Sequence, residues 1–122
     1  MKILVVDDNF GITEMLSQFF KLKGHDCIAT NNGKEGLWLC LNHKFDAIIL
    51  DLAMPEFTGK DFLDELIQAG KINEQKIIVI TAMPLERVII ENSHHGVCDV
   101  VKKPFKLENI MKTLESLNVI PH

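Results

Sequence analysis

Four short apolar runs, residues 3–6, 47–50, 77–80 and 97–101, punctuate the chain, and each is nearly continuous in Ile, Val, Leu and Ala. Unbroken runs of this kind belong to strands covered on both faces, the condition of a parallel sheet with helices on either side. Residues 25–30 are more mixed, as expected of an edge strand. Between the runs the apolar spacing changes to the helical period. Ile12, Met15, Leu16, Phe19 and Leu22 make one stripe that closes at Gly24, a C-terminal cap. Further helices are expected over about residues 34–42 (after the Asn31-Asn32-Gly33 turn), 60–69, 85–95 and 107–117. The last turns Leu107, Ile110, Met111, Leu114 and Leu117 inward. Strand and helix alternating five times with short links imply right-handed crossovers and one α/β sandwich of three layers.

A chain of 122 residues, 47% hydrophobic and 25% charged, fits one globular domain over residues 1–122, with no separate effector domain. No apolar run approaches the roughly 20 residues that cross a bilayer. A short strand starts directly after Met1 in place of a signal peptide, so a cytoplasmic location is expected. The net charge of −4, with Lys and Arg scattered, argues against direct contact with nucleic acid. Cys27, Cys40 and Cys98 lack the spacing of a zinc site or a disulfide framework and read as buried free thiols. Trp38 reads as a packing residue of the second helix.

Ligands of open α/β sheets bind beyond the carboxyl ends of the strands. Those positions hold Asp7-Asp8, Asp51, Thr81 and Lys102-Lys103-Pro104. Each acid alone is an ordinary turn or cap residue. Together the three carboxylates repel one another and raise their own pKa values unless a cation compensates. Three negative charges and the Lys103 ammonium leave −2, which one divalent ion cancels. Oxygen donors without His or Cys favour Mg²⁺, or Mn²⁺, over softer metals. Mg²⁺ keeps waters and favours phosphate oxygens, so a phosphoryl group is the natural ligand. Asp51 is the candidate nucleophile, forming an acyl phosphate. The Thr81 hydroxyl and the Lys103 ammonium would stabilise charge on the transferred oxygens.

The ordered motifs Leu-Val-Val-Asp7-Asp8-Asn, Ile-Leu-Asp51-Leu-Ala-Met-Pro55 with Gly59, Ile-Thr81-Ala, and Gly96-Val-Cys-Asp-Val-Val-Lys-Lys103-Pro104-Phe105 resemble the receiver domain of two-component response regulators. The resemblance covers essentially the whole chain and is closest to the single-domain, chemotaxis-regulator-like form. It implies a flavodoxin-like (βα)5 fold with a parallel five-stranded sheet of order 2-1-3-4-5. It also implies that Asp51 accepts a phosphoryl group from a histidine of a sensor histidine kinase or a histidine phosphotransfer protein. Asp8 and the Ala53 carbonyl would bind Mg²⁺ with Asp51, and Asp7 would hold a metal-bound water. Thr81 and Lys103 would grip the phosphoryl oxygens, and Lys103-Pro104 would be a cis peptide. A downstream protein target would meet the face built from the 85–95 helix, the fifth strand and the 107–117 helix. The protein would be a monomer or a phosphorylation-dependent dimer, catalysing only its own phosphoryl transfer and a slow self-dephosphorylation. His94 and His95 then need no catalytic role and read as partners of their helix's negative end.

Three positions depart from the family's pattern. Val100 stands where many members carry a switching aromatic, and a valine has no large ring to swing. Ala53 and Met83 occupy positions whose side chains often tune attack by water, and neither can orient one; a long-lived phosphoryl group is expected. Ala53 also weighs against a haloacid-type phosphatase, which needs a general acid two residues after its nucleophile. Asp7-Asp8 would repel the phosphate of a flavodoxin-type cofactor. A degenerate receiver that signals without phosphate is the remaining alternative. Contact of Ile90 with a partner is left open.

Overall fold

The computed structural model describes residues 1–82 and 96–117. Its strands are β1 (Lys2–Val6), β2 (Asp26–Thr30), β3 (Ala47–Asp51), β4 (Ile77–Thr81) and β5 (Val97–Lys102). They form one parallel sheet of order β2-β1-β3-β4-β5, with β2 at an edge as its mixed composition requires. The helices are α1 (Phe10–Leu22), α2 (Gly33–Asn42), α3 (Gly59–Gln68) and α4 (Leu107–Leu117), and a 3-10 turn covers Ile72–Glu74. The helix expected over residues 85–95, with Ile90 and His94-His95, and the position Met83 lie outside the described residues.

Strand residues alternate between two apolar layers, the period-2 consequence of the pleat. Leu4, Val6, Ile48, Leu50, Ile77 and Val79 face α2 and α3, meeting Cys40, Phe62, Leu63 and Leu66. Ile3, Val5, Ile49, Ile78 and Ile80 face the other way, onto Leu16 and Phe20 of α1 and Ile110 and Leu114 of α4. This is the three-layer flavodoxin-like sandwich that the sequence implies. Each fully buried Ile, Leu or Phe contributes about 1.5–3 kcal/mol of transfer free energy, so the central strands dominate stability.

The helix ends follow local chemistry. Asn9, Asn32 and Thr58 accept from Ile12, Glu35 and Asp61 backbone N–H groups, and Thr58 with Asp61 completes a capping box. Helix α1 ends at Gly24, whose φ of +86° suits glycine. There the His25 N–H donates to the Phe20 carbonyl and the Gly24 N–H to that of Lys21, a Schellman motif.

Several expectations need correction. The buried line of α1 is Thr13, Leu16 and Phe20, while Leu22 is 86% exposed. The stripe is rotated by one position: Phe20 fills the centre of the layer, and Phe19 packs only partly buried against it. Trp38 is 58% exposed and meets His43 edge-on, since the inner face of α2 is taken by Gly36 and Cys40. Of the three thiols only Cys40 is buried; Cys27 is intermediate and Cys98 exposed. Cys98 sits at a bulge in β5: Ile77 pairs with Val97, but Ile78 with Asp99. The extra residue keeps Val100 beside Val79 and Val101 beside Ile80 on their apolar layers. As the last strand of the sheet, β5 is a half-exposed edge strand rather than a buried one.

Candidate functional site

The same alternation builds the site. Asp7 lies two residues beyond Val5, Asp51 two beyond Ile49 and Lys103 two beyond Val101, all of which pack in the layer with α1 and α4. Val5 pairs with Ile49, so continuing the register by two sets Asp7 beside Asp51. Asp51 and Thr81 are the last residues of β3 and β4 rather than the first beyond them. Both are buried, at 1% and 2% exposure, and Asp7 is at 0%.

Lys103 joins the two buried acids. Its Nζ lies 3.0 Å from Asp7 Oδ2 and 3.3 Å from Asp51 Oδ1, so the side chain crosses from beyond β5 as far as the end of β1. The Lys103 N–H donates to the Thr81 carbonyl at 2.7 Å, which holds its backbone against the end of β4; the Lys103-Pro104 peptide is cis. Asp51 Oδ1 also accepts a long bond, 3.4 Å, from the Ala53 N–H. Asp7 Oδ1 accepts from the Asn9 N–H at 2.9 Å, tying the acid to the cap of α1.

Burial first, and then the Asp7 carboxylate, push the Asp51 carboxyl up to about 6; Lys103 and the Ala53 N–H pull the other way. For Lys103, burial would lower the ammonium's pKa, yet the two carboxylates together outweigh it and hold it raised. The lysine is therefore charged at neutral pH, and one positive charge faces a larger negative one.

Asp8 is exposed beside this pair, and Asp7, Asp8 and Asp51 each offer an oxygen within 4.8 Å of the others. The donors are all carboxylates, with no nitrogen or sulfur ligand among them. Asp7 Oδ2 is buried, and among the described residues the Lys103 ammonium is what meets its charge. An excess of buried and clustered negative charge with hard oxygen donors fits Mg²⁺.

The loop after β3 is shaped by its ends. A Cβ on Gly59 would meet the Asp51 carbonyl oxygen at 2.6 Å and Leu52 Cα at 2.7 Å, so only glycine lets α3 start against the end of β3. Within the loop the Phe57 N–H donates to the Pro55 carbonyl across Glu56, whose φ is +65°, a γ-turn. Ala53 is exposed on this loop. Val100 is half-buried and packs in the layer with α2 and α3, opposite the layer of Val5, Ile49 and Val101 that Asp7, Asp51 and Lys103 continue.

One participant escaped the sequence. Asn31, read only as part of a turn, donates from Nδ2 to the Asp7 carbonyl at 2.8 Å and to Thr13 Oγ1 at 2.9 Å. These bonds join residues 24 and 18 positions apart, beyond the reach of any periodicity.

Comparison with known proteins agrees with this fold. Residues 3–115 match the model of the response regulator receiver domain. The response regulator MprA of a Mycobacterium species is 30% identical over 117 residues, covering 96% of this chain and 50% of that protein. The chain thus spans about half the length of this curated relative. Vibrio cholerae chemotaxis protein CheY4 superposes with a TM-score of 0.82 at 28% identity, over 95% of this chain and 97% of that one. The Thermotoga maritima response regulator TrrA, solved in complex with Mg²⁺ and BeF, gives 0.81 at 28% identity over the same shares.

Proposed function

The chain belongs to the response regulator receiver domain family, and on that premise we propose that Asp51 is its phosphoacceptor, with Lys103 and Thr81 as the groups that hold the transferred phosphoryl oxygens. The observation that carries this is the Lys103 ammonium bridging buried Asp7 and Asp51 beside a third carboxylate. Asp8, Asp51 and the Ala53 carbonyl would hold Mg²⁺, or Mn²⁺ in its place, with Asp7 reaching it through water. When bound, the ion supplies the positive charge that the acidic cluster lacks and that incoming phosphoryl oxygens need.

Asp51 Oδ1 is engaged by Lys103 and Ala53, so we assign the attack to Oδ2. The Oδ2–P bond forms as the P–N bond to the partner's histidine breaks, and the electron pair returns to the imidazole nitrogen. Lys103 follows the negative charge from the carboxylate to the phosphoryl group. Thr81, buried at the adjacent strand end, would turn its hydroxyl to the same group. No helix of the described residues is long and apolar enough to cross a membrane. A histidine kinase or phosphotransfer partner, output by protein contact through the 85–95, β5 and α4 face, and a cytoplasmic setting complete the proposal. Monomer and phosphorylation-dependent dimer both remain compatible with it.

The test is intact mass after incubation with acetyl phosphate and Mg²⁺. The parent gains one phosphoryl adduct and Asp51→Asn gains none; no adduct on the parent leaves the degenerate receiver, and an equal adduct on the mutant moves the acceptor elsewhere. The adduct should decay slowly, because exposed Ala53 offers no side chain to orient water. Ala53→Asn together with Met83→Glu should shorten its half-life.

A further inference from the structure

We infer that Asn31 is a positioning residue for the metal site, acting through the Asp7–Asp8 peptide; this rests on the metal-site assignment above. Among the described residues nothing bonds the exposed Asp8 carboxylate, so what the fold fixes is the backbone from which it projects. That backbone is held from the end of β2. The Asp7 N–H donates to the Thr30 carbonyl at 3.2 Å, and the Asp7 carbonyl accepts from Asn31 Nδ2 at 2.8 Å. The carbonyl belongs to the peptide that joins Asp7 to Asp8, so fixing it fixes the plane from which Asp8 projects.

The amide can face only one way. Asp7 O is an acceptor alone, so Asn31 must present Nδ2 to it. The second Nδ2 proton goes to Thr13 Oγ1 at 2.9 Å, and that hydroxyl donates onward to the Phe10 carbonyl at 3.0 Å. Thr13 is buried at 4% exposure within α1. The chain Phe10–Thr13–Asn31–Asp7 thus clamps the end of β1 and the first turn of α1 to the β2–α2 loop. Groups that orient metal ligands without touching the metal commonly change affinity by about 10–100-fold when removed.

The neighbouring Asn32 provides the control. Its Oδ1 caps α2 by accepting from the Glu35 N–H and makes no bond to the Asp7–Asp8 segment. The experiment is Mg²⁺ titration of the unphosphorylated protein by calorimetry, with unfolding midpoints measured alongside. Asn31→Ala should raise the Mg²⁺ Kd by about tenfold or more. Thr13→Val should raise it less, and should add nothing further in the Asn31→Ala background. Asn32→Ala should lower the unfolding midpoint while leaving the Kd at the parent value. A Kd for Asn31→Ala within about twofold of a binding parent overturns the inference alone, as does an equal loss in Asn32→Ala. Full additivity of Thr13→Val with Asn31→Ala breaks the proposed chain. A parent that takes up no Mg²⁺ overturns the metal-site assignment together with it.

Discussion

Two residues of β3, Ile49 and Asp51, face the same side of the sheet and are almost equally inaccessible, at 0% and 1%. Val5 and Asp7 repeat the contrast from β1 into its end, both at 0%. Burial stabilises the first member of each pair and costs the second, because water solvates a carboxylate far better than a protein interior does. The interior of the sheet is therefore stable without conditions. Its carboxyl rim is stable only on terms: Lys103 must be present, and excess negative charge must be removed by a proton, a cation or reaction. Function resides where the fold is least comfortable.

The contrast breaks first if the two regions respond alike to truncation. Ile49→Ala should destabilise by about 2–5 kcal/mol in denaturant melts, through lost contacts and a cavity, and neither Mg²⁺ nor mild acid should restore it. Lys103→Met should destabilise on the order of 2–4 kcal/mol at pH 7.5, discounted for the lysine's 20% exposure, because Asp7 and Asp51 are left uncompensated. Its loss should shrink on adding Mg²⁺ or lowering the pH to about 5, which neutralise the same charge. A Lys103 variant whose melts ignore both would make the rim an ordinary packing site.

Next in size is Asp51→Asn. The Asp51 carboxyl is raised to about 6 in the folded protein, so its contribution to stability is fully present below its unfolded value and is lost as pH rises through about 6. The mutant, which ionises at no pH, should exceed the Mg²⁺-free parent by on the order of 1–3 kcal/mol at pH 7.5. That advantage should close as pH falls toward about 4, and shrink on saturation with Mg²⁺, which stabilises the parent. Smallest is Thr58→Ala, which removes the capping box of α3 and should cost about 1 kcal/mol at every pH.

The sheet was legible because its signal is local. Uninterrupted Ile and Val runs mark doubly covered strands, and the acids at their ends follow from chain order. Asp7, Asp51 and Lys103 are brought together as the residues implied. What could not be read depends on rotation or on distance. A helical stripe leaves its centre uncertain by one position, and Phe20 rather than Phe19 fills the core. The bulge at Cys98 is a pairing event between strands, with no mark in β5 alone. Trp38 shows that a large apolar side chain does not choose its own face when Gly36 has already brought α2 against Val6. Asn31 is the extreme case, a turn residue by composition whose bonds lie with Asp7 and Thr13.

The claim that the rim stores unfavourable charge is tested most directly by titrating the Asp51 side-chain carbon by NMR, in protein free of divalent ions and again in saturating Mg²⁺. The account predicts a midpoint near 6 without the ion and a clear fall when it is added. A midpoint at the ordinary carboxylate value without Mg²⁺, or one that Mg²⁺ does not move, would contradict it.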